Sequence, residues 1–170
     1  MTTIHADGVV ERAGDQHVIR FQRRFNHPVE RVWRALTTPQ ELLNWWGDVT
    51  IDLVPGGDFT VRWLNTDERG NSFTMHATIT ALEPPRLLQT SGDGHGVLRW
   101  ELRPDGDATV LTFSSTLDLP GDFRTLAPTG WHLHLDALAA VLDGGSVDLV
   151  QIPGWERIHQ AYVAKLSSPS

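Results

Sequence analysis

The chain has 170 residues, of which 40% are apolar and 21% charged, with a formal net charge of −7. That length and composition call for one hydrophobic core, burying roughly 70% of the surface the unfolded chain exposes. Cysteine is absent, which excludes disulfides, thiolate metal sites and a cysteine nucleophile, and the negative field argues against a nucleic-acid partner.

Residues 1–15 are polar and contain Gly8 and Gly14, so they read as a flexible lead-in. They lack the basic start and apolar run of a signal peptide. No stretch approaches the roughly 18 consecutive apolar residues of a membrane span. A cytoplasmic location is expected. From His17 the sequence alternates, with Ile19, Phe21 and Phe25 on one face and Arg20, Gln22 and Arg24 on the other, as in a half-buried strand. Arg23 breaks the pattern. The only dense basic cluster, Arg20, Arg23 and Arg24, thus falls on the wet side of a strand.

The period then changes. Val29, Val32, Trp33 and Leu36 share one helical face, with Pro28 at the start. Thr38, Pro39 and Glu41 have capping-box spacing for a second short helix that Gly47 closes. From Asp48 to Leu119 the pattern is β: Val49, Ile51 and Leu53; Phe59, Val61 and Trp63; Phe73, Met75, Ala77 and Ile79; Leu87–Thr90; Leu98, Trp100 and Leu102; Val110–Leu117. Turns at Pro55-Gly56-Gly57, TDERGN, Pro84-Pro85, SGDGHG and PDGD separate these runs, and connections this short join antiparallel neighbours. Helical spacing returns at Trp131, Leu135, Leu138 and Leu142, stops at Gly144-Gly145, and resumes at Trp155, Ile158, Tyr162 and Leu166. The domain division expected is a lead-in over 1–15, one domain over 16–166 and a tail over 167–170.

The run FNHPVERVWRALTTPQELLNWWG, followed by PGGDFTVRW, ATITALEPPRLLQT, TVLTFSSTLD and GWHLHLDALAAVL, resembles the START-like superfamily. Within it, the chain is similar to the family named after the C-terminal domain of the activator of heat-shock-protein-90 ATPase. The resemblance covers about residues 17–142 and rests on the order of apolar, Gly and Pro positions. It implies an α+β helix-grip fold, with a curved antiparallel sheet of about six to seven strands around a long C-terminal helix. Two short helices follow the first strand. Members of the superfamily bind lipids, sterols or polyketides between sheet and helix, and some are cyclases. The lead-in is too short for the separate N-terminal domain of the eukaryotic co-chaperone. The segment SVDLVQIPG departs from the pattern, so the last helix could extend the grip, pack elsewhere or join a second subunit.

Seven tryptophans against one tyrosine are unusual, and such rings can fill a core or line a pocket. If the apolar faces point inward, Phe59, Val61, Trp63, Phe73 and Met75 meet Trp100, Phe113, Trp131, Leu135 and Leu138 across the gap. Trp45 and Trp46 are assigned to the pocket mouth. Ser115 and His134 are the polar groups expected to orient a ligand. His132 and Asp136, four apart on the last long helix, fall off its apolar stripe, and nothing completes a metal motif around them. His76, Arg62, Arg99 and Glu101 oppose apolar sets and read as outer-face residues. Neither a nucleophile elbow nor a phosphate loop is present.

The expected activity is therefore binding of an apolar or aromatic small molecule, with no catalytic residue, metal or cofactor assigned. A cyclase, dehydratase or hydrolase on the same fold is the alternative, and it requires His76, His134, Arg62 or Glu101 to face the cavity. A chaperone regulator or other interaction module is a further alternative, with 147–155 as its surface. A homodimer through the same insert stays open.

Overall fold

Alternation and turn chemistry produce the sheet, and the aromatic content fills the space beneath it. The computed structural model describes residues 7–66, 69–92, 95–119, 121 and 123–167. The elements run β1 (Val9–Ala13), β2 (Gln16–Phe25), α1 (Val29–Thr37), α2 (Pro39–Trp45), β3 (Gly47–Ile51), β4 (Asp58–Thr66) and β5 (Ser72–Glu83). They continue β6 (Leu87–Gly92), β7 (Gly96–Asp105), β8 (Ala108–Leu117), α3 (Phe123–Leu142) and α4 (Trp155–Ser167). The strands form one antiparallel sheet in the order β1-β2-β8-β7-β6-β5-β4-β3. This is the expected helix-grip architecture, with α3 as the gripped helix.

Several expectations need correction. Part of the lead-in is ordered: Val9 to Ala13 pair with Arg20 to Gln16 through a turn whose Gly14 has φ 63°. The strand escapes a period-two reading because its two valines are adjacent. Thr38 makes no side-chain cap, and Glu41 instead holds Arg31 and Arg34, joining the two short helices. Gly47 opens β3 rather than closing α2, and glycine suits the position because a Cβ there would meet the Arg62 carbonyl oxygen at 2.5 Å. Parts of the turns at TDERGN and SGDGHG, together with Pro120, Asp122 and the last three residues of the tail, lie outside the described residues.

Arg23 shares the inner face of β2 with Phe21. Its guanidinium lies 5.5 Å from the Phe21 ring centroid and reaches Asp136 of α3 at 2.7 Å. A charge facing inward on β2 is thus paired with one on α3, which resolves the broken alternation. Helix α4 packs on α3 through buried Ile158 and Tyr162, and Leu149 of the preceding segment is buried in the same core.

The face of α3 carrying His132, read as solvent-facing, is covered by α4. Gly8 donates its N–H to the Tyr162 hydroxyl at 2.7 Å, and that hydroxyl lies 2.9 Å from His132 Nδ1. His132 Nε2 is 3.5 Å from Asp136. With the tyrosine donating to Nδ1, the imidazole is neutral and carries its proton on Nε2 toward Asp136. Burial lowers the His132 pKa, in keeping with that neutral form, and pushes the Tyr162 hydroxyl up to about 12. Tyr162→Phe leaves Gly8 N–H and His132 Nδ1 without this partner. It is expected to cost about 1–2 kcal/mol in urea denaturation and to speed amide exchange in β1.

Candidate ligand cleft

A cleft of about 710 Å³ is lined by residues from β4, the start of β5, the end of β8 and the start of α3. Trp63 and Phe73 form the sheet side of it, Leu117 and Leu119 the floor, and Phe123 and Ala127 the helix side. Thr66, Asn71, Ser72 and Asp118 are its polar lining. A recess of about 160 Å³ shares Trp63, His95, Phe123 and Ala127 with the cleft and adds Leu126, Gly130, Trp131 and His134.

His95 belongs to both spaces. It is placed by the turn between β6 and β7, where Gly96 has φ 65° and a Cβ would collide with the Thr116 carbonyl oxygen. Only glycine fits there, on both conformational and steric grounds. Ser115 Oγ donates to the His95 carbonyl at 3.1 Å and holds the turn against β8. The His95 ring stacks on Trp63, with centroids 5.0 Å apart and planes 16° from parallel. Phe73 and Trp131 meet it edge-on at 5.4 and 5.6 Å. Burial, reinforced by the neighbouring His134, lowers its pKa to about 4. Its Nδ1 is buried without a hydrogen-bond partner, as is Nε1 of Trp131.

His134 is fixed differently. Trp63 Nε1–H donates to His134 Nε2 at 3.0 Å, and the Trp45 carbonyl lies 2.9 Å from His134 Nδ1. Since an indole N–H only donates and a carbonyl only accepts, the ring is the neutral Nδ1–H tautomer with both nitrogens committed. Burial lowers its pKa to about 4 against the opposing pull of the Trp45 carbonyl. One imidazole therefore ties α3 to β4 and to the end of α2.

The fold has known counterparts. A family model for activator of Hsp90 ATPase homolog 1-like proteins matches residues 26–143, from just ahead of α1 to just past the end of α3. The chain belongs to this family. Its fold is similar to the crystal structure of CalU16 from Micromonospora echinospora, with 26% identity, 95% of this chain and 96% of that one covered, and a TM-score of 0.70. A conserved protein of unknown function from Enterococcus faecalis aligns at 20% identity over 94% of this chain and 90% of that one, with a TM-score of 0.72. DynU16, from the dynemicin biosynthetic locus, aligns at 24% identity over 79% of this chain and 49% of that one, with a TM-score of 0.64. No curated protein matches.

Of the residues expected to contact a ligand, Trp63, Phe73, Trp131 and His134 line the cleft or its recess. Phe73 is 46% exposed at the cleft wall. The remaining aromatic and aliphatic members, Phe59, Val61, Met75, Trp100, Phe113, Leu135 and Leu138, are fully buried and pack against one another. They fill the inner space, so the opening lies at one end of it. Trp45 and Trp46 are not at a mouth: both are buried, and Trp45 donates its indole N–H to the Ala35 carbonyl at 2.9 Å. Ser115 does face inward, as its alternation implies, but its hydroxyl serves the His95 turn.

The outer-face residues stay outside. His76 is exposed, Arg62 pairs with Asp48 at 3.3 Å, and Arg99 pairs with Glu101 at 2.9 Å. None of these lines the cleft. Among the described residues, no helix is long and apolar enough to cross a membrane.

Proposed function

We propose that the protein binds an apolar or aromatic small molecule in the cleft between the sheet and the N-terminal half of α3. The observation that carries this reading is the open space of about 710 Å³ walled by Trp63, Phe73, Leu119 and Phe123. Its volume falls within the range of small-molecule sites, and its mixture of aromatic walls with a few polar groups is their usual lining. The family and the similar folds support it at the level of architecture, since function depends on the site. The two imidazoles beside the cleft do not favour acid–base chemistry, because His134 has both nitrogens engaged and burial lowers the His95 pKa to about 4.

Native mass spectrometry beside a denatured control, followed by thermal shift with lipids and aromatic compounds, tests the reading. A native-only adduct or a saturable stabilisation is expected. Ala127→Trp fills the cleft from the helix side, and Phe73→Ala removes an exposed wall; each is expected to weaken binding about tenfold or more while leaving the fold intact. A clean native mass with no thermal shift from any compound overturns the proposal.

A further inference from the structure

The outer cleft and its recess differ in polarity, and that difference orients an occupant. Almost nothing polar is exposed in the recess, which Trp63, Phe123, Leu126, Ala127 and Trp131 share with two imidazoles. A charged or strongly polar head there would lose water without gaining a partner. Thr66, Asn71, Ser72 and Asp118 line the outer cleft and not the recess. A ligand with one apolar and one polar end therefore sends its apolar end to the recess and keeps its head in the outer cleft.

The charges around the outer cleft then set the sign of that head. Among the described residues, Asp118 is the one acidic residue lining either space, and no lysine or arginine lines them. It follows β8, is exposed, and has no ion-pair or hydrogen-bond partner among the described residues. An exposed carboxylate on the cleft wall acts on a head group whichever rotamer it takes, since physiological salt screens charges only over about 8 Å. Phe73 and Phe123, on the sheet and helix sides, are exposed, and aromatic faces attract a cation but not an anion. The N-terminus of α3 opposes this with about half a positive charge. Arg124 beside it is exposed but does not line the cleft. The full charge of Asp118 exceeds that of the helix end, and the chain as a whole carries −7.

Resting on the binding function proposed above, we infer that the cleft takes a cationic amphiphile, an amine whose apolar body reaches the recess and whose ammonium stays in the outer cleft with Asp118. An anionic amphiphile of the same shape is disfavoured, because it meets a like charge and no basic partner. Asp118 keeps its hydration at the surface, so this selection carries no cost of burying a charge.

The test compares 4-phenylbutylamine, 4-phenyl-1-butanol and 4-phenylbutyrate by tryptophan fluorescence titration of the full chain at neutral pH. The three share a tail and differ in the charge of the head. The amine is expected to bind on the order of tenfold more tightly than the carboxylate, with the alcohol between them. In Asp118→Asn that ratio is expected to fall to about threefold or less, and in Asp118→Lys to reverse. Raising the salt is expected to shrink the wild-type ratio in the same way. Equal affinities for the amine and the carboxylate overturn the inference. A preference that survives Asp118→Asn overturns it too, because the carboxylate is then not its source. If none of the three binds while another compound does, the cationic class falls and the cleft keeps its binding function. If every compound is silent, the binding function itself falls.

Discussion

Trp46→Ala is expected to destabilise the protein by about 3–5 kcal/mol, which in urea moves the midpoint down by about 2 M. Trp46 is 1% exposed and central to the aromatic cluster. Its ring centroid lies 5.3 Å from that of Trp131, 5.6 Å from those of Trp45 and Trp100, and 5.7 Å from those of Phe59 and Trp63. Those rings come from β4, β7, α2 and α3, so one side chain joins four elements. Truncation removes contacts on every side, and large neighbouring rings cannot collapse into the hole without leaving their rotamers. Against a typical domain stability of about 5–15 kcal/mol, a loss of this size threatens folding at 37 °C. Trp155→Ala is the matched control: its ring is 39% exposed on α4, and a change below about 0.5–1 kcal/mol is expected. Comparable losses at the two positions would contradict the central role of Trp46.

The architecture was legible because it depends on periodicity. Alternation in Phe59, Val61 and Trp63 and in Leu98, Trp100 and Leu102 places those residues on the buried face, as the structure has them. The two short helices and the gripping helix follow from 3.6-residue spacing in the same way. β1 was not legible. Val9 and Val10 do not alternate, and the strand exists because Gly14 lets the chain fold back onto β2.

The cleft was less accessible to sequence reasoning because period two separates inside from outside without saying where the inside is empty. Phe59 and Phe73 look alike by alternation, yet one is fully buried and the other is 46% exposed beside the cleft. Trp45 and Trp46 looked like a mouth because a helix end is an easy place for one. Their burial depends on remote partners: the Ala35 carbonyl for Trp45 and rings from three further elements for Trp46. His95 escaped notice altogether. A histidine among turn glycines has no period, and its meaning comes from Trp63, which is 32 positions earlier in the chain and stacked on its face. The one local signal was Gly96, whose left-handed backbone marks a tight turn that delivers the preceding side chain inward.

Acid is expected to weaken the fold through His134 before it protonates that residue. The His134 pKa is about 4 in the folded protein against an ordinary value of 6.5, because burial disfavours the imidazolium. Between those values the unfolded chain binds a proton that the folded one does not, so stability rises with pH and is lost as pH falls from 6.5 toward 4. The full shift corresponds to roughly 3 kcal/mol, and below the folded pKa the dependence on this group ends. His95 acts in the same direction, since its pKa is also lowered to about 4. Carboxylates add a background over part of the range, and a His134→Gln variant separates the two contributions. Glutamine can retain one of the bonds to Trp63 or Trp45 but does not titrate, so the variant is less stable at pH 7 by about 1–3 kcal/mol. The difference between wild type and variant is then expected to shrink steadily between pH 6.5 and 4 in urea denaturation. Parallel profiles would mean that the imidazole is already charged in the fold. That result would also undo the hydrogen-bond assignment, because an imidazolium cannot accept the Trp63 indole proton.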